Sequence, residues 1–284
     1  EKHFNERPFL NHSCFLFLTK TTKERMRMQS NFSSLCRGNI IPKEVNKDTS
    51  VKFLEAVGQF ERIINDSGFI CLTRITSDEI TGTGEMPGLI EKYFSLSLDD
   101  TTCLEDLELG ADGLRVGSKH VCLHTLSDAE DLPGRIGTDM RYEKLSTDRS
   151  DCRLSFASPV GLLLPCDHIY NQYLFIEDSE ENLRKFEKSA RNMQSLSRYS
   201  RGNQINKEWI DQYLNEAHSF GLTSIRAHFN VMAWSEDAEE LKHIRNDVGS
   251  QLALMECKPR HNTVDAATLY WAAMPGNGGD FPEE

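Results

Sequence analysis

The sequence predicts an α+β fold in two halves, each a largely antiparallel sheet with helices packed on one face. Three observations carry this. Three short strand patterns between residues 102 and 125 are separated by glycine-bearing turns, as in a meander of hairpins. Two amphipathic helix patterns flank Arg201-Gly202-Asn203, which reads as the turn of an antiparallel helix hairpin. The order of the remaining strand and helix patterns suggests two α+β halves without a visible repeat, the second close to a split β-α-β arrangement.

Taken in order, residues 14–20 are an apolar, aromatic and Leu-rich run expected of a strand covered on both faces. Residues 21–47 are polar and without periodicity, as a long functional loop would be. Phe53, Leu54, Val57, Phe60 and Ile64 mark one face of a helix that Gly68 ends, and residues 69–76 read as a strand. Gly82, Gly84, Pro87 and Gly88 break the next helical pattern into two short helices, the second over 87–94. Strand patterns follow at 103–109, 114–116 and 119–125. The acidic, Pro- and Gly-punctuated stretch 127–150 is the best internal boundary.

The second half opens with strand patterns at 160–164 and 168–176. Asp178 starts a helix with Leu183, Phe186, Ala190 and Met193 on its buried stripe. The next helix carries Ile205, Trp209, Tyr213, Ala217 and Phe220 and ends at Gly221. Residues 223–234 form a long strand, with Ile225, Ala227, Phe229 and Val231 inward and Arg226, His228 and Asn230 outward. Ser235 caps a helix bearing Leu241, Ile244 and Val248 that Gly249 ends, and 252–256 reads as a last strand. A terminal helix with Val264, Ala267, Thr268 and Trp271 on one stripe runs into Pro275, and residues 275–284 read as an exit linker. The domains expected are therefore 1–150, 151–274 and this linker, with both chain ends looking like cuts in a longer polypeptide.

At 284 residues, 38% hydrophobic and 27% charged, the composition is that of an ordinary globular protein. The longest apolar runs, 14–18 and 160–164, fall far short of the roughly 20 residues a bilayer requires. Eight scattered cysteines without a Cys-x-x-Cys pair suit reduced thiols in a cytosolic protein. A net charge of -12 argues against general phosphate or DNA binding. The charge is uneven: the chain is basic up to Lys47, and carboxylates dominate 78–148. The basic arm holds the candidate partner-binding residues Lys20, Lys23, Arg25, Arg27 and Arg37, which suit an acidic protein partner.

Catalytic motifs do not emerge. His120, Cys122 and His124 share one face of a strand and could offer zinc two imidazoles and a thiolate, but with no fourth ligand they read as core or edge residues. Gly113 to Lys119 has three residues between its glycines, ends Gly-Ser-Lys-His and lies between strands, so it is a hairpin turn and not a phosphate loop. Gly-x-Ser-x-Gly, His-Glu-x-x-His and EF-hand patterns are absent from the sequence. No catalytic, nucleotide-binding or metal residue is assigned. A stand-alone enzyme would have to build its site from scattered polar residues such as His168, Arg226 and His228, and a pure scaffold or binding module is a further alternative.

Phe9-Leu10-Asn11-His12, Cys14 through Lys23, Leu35-Cys36-Arg37-Gly38-Asn39-Ile40-Ile41-Pro42-Lys43 and Met274-Pro275-Gly276-Asn277 resemble the N-terminal half of TraG-type ATPases of conjugative transposons. These are relatives of the fourth VirB protein of type IV secretion machines, and the similarity extends over essentially the whole chain. In that family the Pro-Gly-Asn element stands before the P-loop motor domain. Walker motifs are absent here, so no nucleotide-binding residue carries over, and the lack of N-terminal spans favours the secretion ATPase over coupling proteins that share the name. The resemblance implies a non-catalytic docking and assembly region of a conjugation ATPase that powers DNA transfer. Its partners would be other channel components and its own motor domain, with a possible homo-oligomer. It would be cytoplasmic and peripheral at the inner face of the membrane. ATP and Mg²⁺ would belong only to the motor domain, with no cofactor in this chain.

Overall fold

The computed structural model describes residues 11–20, 47–97, 104–110, 113–126, 128–136, 140–143 and 146–277. The fold is α+β, as the sequence predicts. Its strands are β1 (Leu107–Gly110), β2 (Gly113–Val116), β3 (Lys119–Leu126), β4 (Met140–Arg141), β5 (Arg153–Leu154), β6 (His168–Ile176), β7 (Ile225–Ser235) and β8 (Arg260–Asn262). One sheet has the order β1-β2-β3-β7-β6, with β8 also on β3, while β4 and β5 pair separately. The two halves expected from the sequence thus share one sheet. β1, β2 and β3 form an antiparallel meander, with Leu109 opposite Leu114 and Leu114 opposite Val121. β3 divides its length, giving Lys119 to Val121 to β2 and Leu123 to Thr125 to β8.

The chain divides into two compact units, Glu1–Asn171 with Asn230–Glu284, and Gln172–Phe229. The division the sequence suggested at 127–150 does not coincide with this one. Because β6 and β7 each run across a unit boundary, the smaller unit is an excursion of the chain between two strands and not a C-terminal half.

In the larger unit the helices are α1 (Lys47–Asp66), α2 (Ser77–Thr81), α3 (Leu89–Ser95), α4 (Ser158–Leu163), α7 (Ala238–Leu254) and α8 (Ala266–Ala272). α7 packs on β3 and α4, burying Ile244, Val248 and Leu252 at helical spacing. Val116, Leu123, Leu126, Val160, Leu164, Met232 and Tyr270 are among its fully buried side chains, each worth roughly 1.5–3 kcal/mol on transfer from water. A reciprocal latch joins α3 to α8. Tyr93 Oη donates to the Tyr270 carbonyl at 2.6 Å, Tyr270 Oη donates to the Tyr93 carbonyl at 3.1 Å, and the rings stack 4.9 Å apart. Thr76 and Glu79 form a capping box on α2.

The smaller unit holds α5 (Ser179–Leu196) and α6 (Arg201–Phe220), joined by four residues. Their contacts run in reverse order along the chain. The Asn203 amide donates to the Leu196 carbonyl at 3.3 Å, the rings of Phe186 and Tyr213 lie 4.9 Å apart, and Glu187 meets His218. The helices are therefore antiparallel. Asp178 caps α5, Ser200 caps α6, and Gly221 at φ 65° closes α6 in the left-handed region. The Arg201-Gly202-Asn203 turn of the sequence reading is already the first turn of α6, because Ser200 supplies the cap.

Several elements differ from expectation for identifiable reasons. Residues 11–20 enter no strand and are exposed. Residues 69–76 double back along α1 instead of pairing in the sheet: the Leu72 amide donates to Asn65 Oδ1 at 2.7 Å and Arg74 pairs with Glu61 at 2.6 Å. Residues 160–163 of the 160–164 run lie in α4 and Leu164 is its C-cap, with Pro159 in the first turn holding the preset φ that suits a helix start. α7 is capped by Asp237 in place of Ser235, and it continues through Gly249 to Leu254 because Val248 and Leu252 share one buried stripe. β7 is buried on both faces from His228 to Ala233, so the inward and outward alternation read from its sequence does not hold. The buried residues of α8 are Ala266, Leu269, Tyr270 and Ala272, while Val264 and Trp271 are exposed. Residues 275–277 fold back on α8: Asn277 is buried, and its side-chain amide donates to the Trp271 carbonyl at 2.8 Å.

Candidate functional site

A cleft of about 520 Å³ opens in the larger unit, lined by His124, Arg245, Asn246, Gly249, Ser250 and His261 among others. Three elements build it. β3 brings His124, and β8 sets His261 directly opposite in the antiparallel register, with ring centroids 5.3 Å apart and planes at 61°. α7 contributes the rest, because Arg245 and Gly249, and likewise Asn246 and Ser250, are four apart and stack in rows beside its core stripe. Gly249 deepens the cleft, since a Cβ there would meet nothing within 4 Å.

β8 is held in place by a polar clamp. Arg260 pairs with Asp128 and reaches the buried Asp131 at 3.1 Å, and the Lys258 amide donates to the Asp131 carbonyl at 2.9 Å. Thr125 Oγ1 donates to Asn262 Oδ1 at 2.7 Å on the other side of the His124–His261 pair. The two imidazoles are therefore fixed by backbone pairing and by flanking side-chain bonds.

The electrostatics of the cleft are one-sided. No carboxylate is among its lining residues. His124 is 4% exposed, and its Nδ1 has no hydrogen-bond partner among the described residues. Burial pushes His124 down to about 4, with the neighbouring His261 and Arg245 charges adding to the effect, and burial followed by Arg245 lowers His261 as well. Both rings are neutral near pH 7. Ser250 donates its hydroxyl proton back to the Asn246 carbonyl at 2.8 Å, so it can offer the cleft only acceptor lone pairs.

The candidate residues of the sequence fare differently. Lys20 is exposed at the end of 11–20, whereas Lys23, Arg25, Arg27 and Arg37 lie outside the described residues. His120, Cys122 and His124 are parted by β3's neighbours, His120 standing opposite Arg115 of β2 and His124 opposite His261 of β8. Burial pushes the Cys122 thiol up to about 11, which disfavours the thiolate that zinc would take. Among the described residues, no group of three or more His, Cys, Asp or Glu could hold a metal ion. His168 bonds the Cys166 carbonyl at 2.8 Å in the larger unit. In the smaller unit Arg226 pairs with Glu177 at 3.0 Å and lies over the Phe175 ring, and His228 is buried near Tyr173. Each is engaged in a structural contact of its own unit.

Arg245, Gly249 and His261 were not singled out from the sequence. A signal existed in the i, i+4 spacing of Arg245 with Gly249, but reading Gly249 as a helix end hid it. His261 sits in a three-residue strand with no hydrophobic alternation, so only its pairing with β3 reveals it.

Fold and cleft together define an α+β protein with a surface cleft lined by one guanidinium, two imidazoles and no carboxylate. The chain matches none of the protein-family models or curated proteins with which it was compared. Among the described residues no helix is long and apolar enough to cross a membrane.

Proposed function

We propose that this chain is the N-terminal, non-catalytic docking and assembly region of a TraG-type conjugation ATPase, acting on the cytoplasmic face of the membrane as a peripheral part of the mating channel. The observation that supports it is the run Phe15-Leu16-Phe17-Leu18, whose side chains are 46%, 56%, 39% and 42% exposed in a segment that belongs to no helix or strand. Apolar side chains in such a row gain roughly 25 cal/mol per Å² when covered, and a partner that pairs with the segment covers them. The run leads directly into the basic arm carrying Lys20, Lys23, Arg25, Arg27 and Arg37, which suits an acidic channel component. ATP and Mg²⁺ act at the motor domain of the same polypeptide, and this region positions that motor and helps its copies to assemble.

The test uses the full-length parent in donor cells. Two double variants, Phe15→Asp with Phe17→Asp and Arg25→Glu with Arg27→Glu, are compared for co-purification with the other channel components and for transfer frequency. Each is expected to lower both by at least about tenfold, the loss of roughly 1.4 kcal/mol of docking energy, with circular dichroism unchanged. Wild-type co-purification and transfer by both variants would overturn the proposal.

A further inference from the structure

We propose that the cleft between β3, β8 and α7 is a binding site for a small oxyanion, a carboxylate or phosphate group. Four features of the site converge on that chemistry. Arg245 makes no ion pair or hydrogen bond among the described residues, so its planar fork of donors is available to a bidentate acceptor. His124 is 4% exposed, its Nδ1 is sealed from any group in the cleft, and its ring makes no side-chain hydrogen bond among the described residues, so the tautomer with its proton on Nε2 is the one that leaves an N–H free for a ligand. His261 faces His124 across the strand pair, and Asn246 adds a side-chain amide on the helix side.

Charge selects the ligand. The whole chain carries a net charge of -12, yet the lining has a guanidinium and no carboxylate, so the cleft is a local exception to the field of the molecule. A cation would meet Arg245 with no anionic group to offset it. An oxyanion would meet the guanidinium, one imidazole donor fixed by the β3–β8 register and a second imidazole beside it. Burial already holds both rings neutral, so a proton need not be lost or gained for either to donate one N–H. The volume, about 520 Å³, admits a small metabolite bearing such a group as well as the bare ion. This reading stands apart from docking, because none of the cleft residues belongs to the 11–20 segment or the basic arm.

Calorimetry on the whole chain, titrated separately with inorganic phosphate and with citrate, tests it. Saturable binding of either, with a dissociation constant on the order of 1 mM or tighter, supports the site, and the preferred titrant identifies whether a phosphate or a carboxylate is recognised. Arg245→Gln is expected to weaken that binding by at least about tenfold, through loss of the bidentate contact. Gly249→Leu adds a helix-favouring side chain into the open space and is expected to abolish binding while leaving circular dichroism unchanged. Absence of heat with both titrants, or binding unaltered by both folded variants, would overturn the proposal.

Discussion

Lys119 ends a Gly113 to Lys119 stretch that resembles a phosphate loop in its letters, yet its Nζ donates to the carbonyls of Ser95 and Leu96 at 2.8 and 2.9 Å. There it satisfies the end of α3, where Leu96 holds a left-handed φ of 47° that a branched side chain adopts only at a cost. Lys119→Ala is therefore expected to lower stability to urea by about 1–2 kcal/mol, two charge-assisted bonds to carbonyls being lost. Calorimetry with ATP and Mg²⁺ is expected to show no heat in wild type or variant, and binding abolished by the substitution would return this loop to phosphate chemistry. The role of Lys119 was not legible locally, because its acceptors belong to a helix that comes earlier in the chain. His124 was legible as part of a strand; its partner His261 was not, since β8 has no pattern of its own.

Between α2 and α3 the chain turns so tightly that Gly82 and Gly88 touch backbone to backbone. A Cβ on Gly88 would lie 2.1 Å from the Gly82 nitrogen, and Gly82 itself holds a φ of 85°. Gly88→Ala is expected to cost more than about 2 kcal/mol, because only backbone can give way. Gly249→Ala makes the contrast: the site is helical and open, so a gain of roughly 0.5–1 kcal/mol is expected, and the same urea titrations measure both signs. The sequence located the break at Gly82 and Gly88 through their type, but it misplaced a helix end at Gly249 for the same reason. Capped, periodic elements were the legible ones. α5 shows this, its Asp178 cap and its stripe of Leu183, Phe186, Ala190 and Met193 facing inward. In α6 and α8 the larger apolar residues misled: Trp209, Phe220 and Trp271 are 59%, 76% and 38% exposed, while Tyr270 is fully buried because its hydroxyl finds the Tyr93 carbonyl.

Across the whole molecule, buried histidines set the response to acid. His124 and His228, one in each unit, are both pushed down to about 4, each chiefly by burial, and His168 and His261 move in the same direction. Below about pH 6.5 the unfolded chain takes up protons that the folded chain refuses, so the unfolded state binds more protons and stability is lost as the pH is lowered. The contribution is fully present above about pH 6.5 and is lost between there and about pH 4, on the order of 2–3 kcal/mol for each of the two most buried rings. Urea unfolding at about pH 7 and about pH 4.5 should show this fall, lessened in a His124→Gln, His228→Gln double variant; equal stability at both pH values would refute it. By itself the sequence determined the α+β class, the β1–β3 meander and the capped helix hairpin, because periodicity, turn residues and caps are written within a few residues of the elements they define. Only the tertiary structure decided that one sheet serves both halves, that 158–163 is helical, which faces of α6 and α8 are buried, and that His124, His261 and Arg245 line one cleft. Those outcomes depend on which distant surface covers a residue, and burial against a distant partner leaves no local periodicity to read.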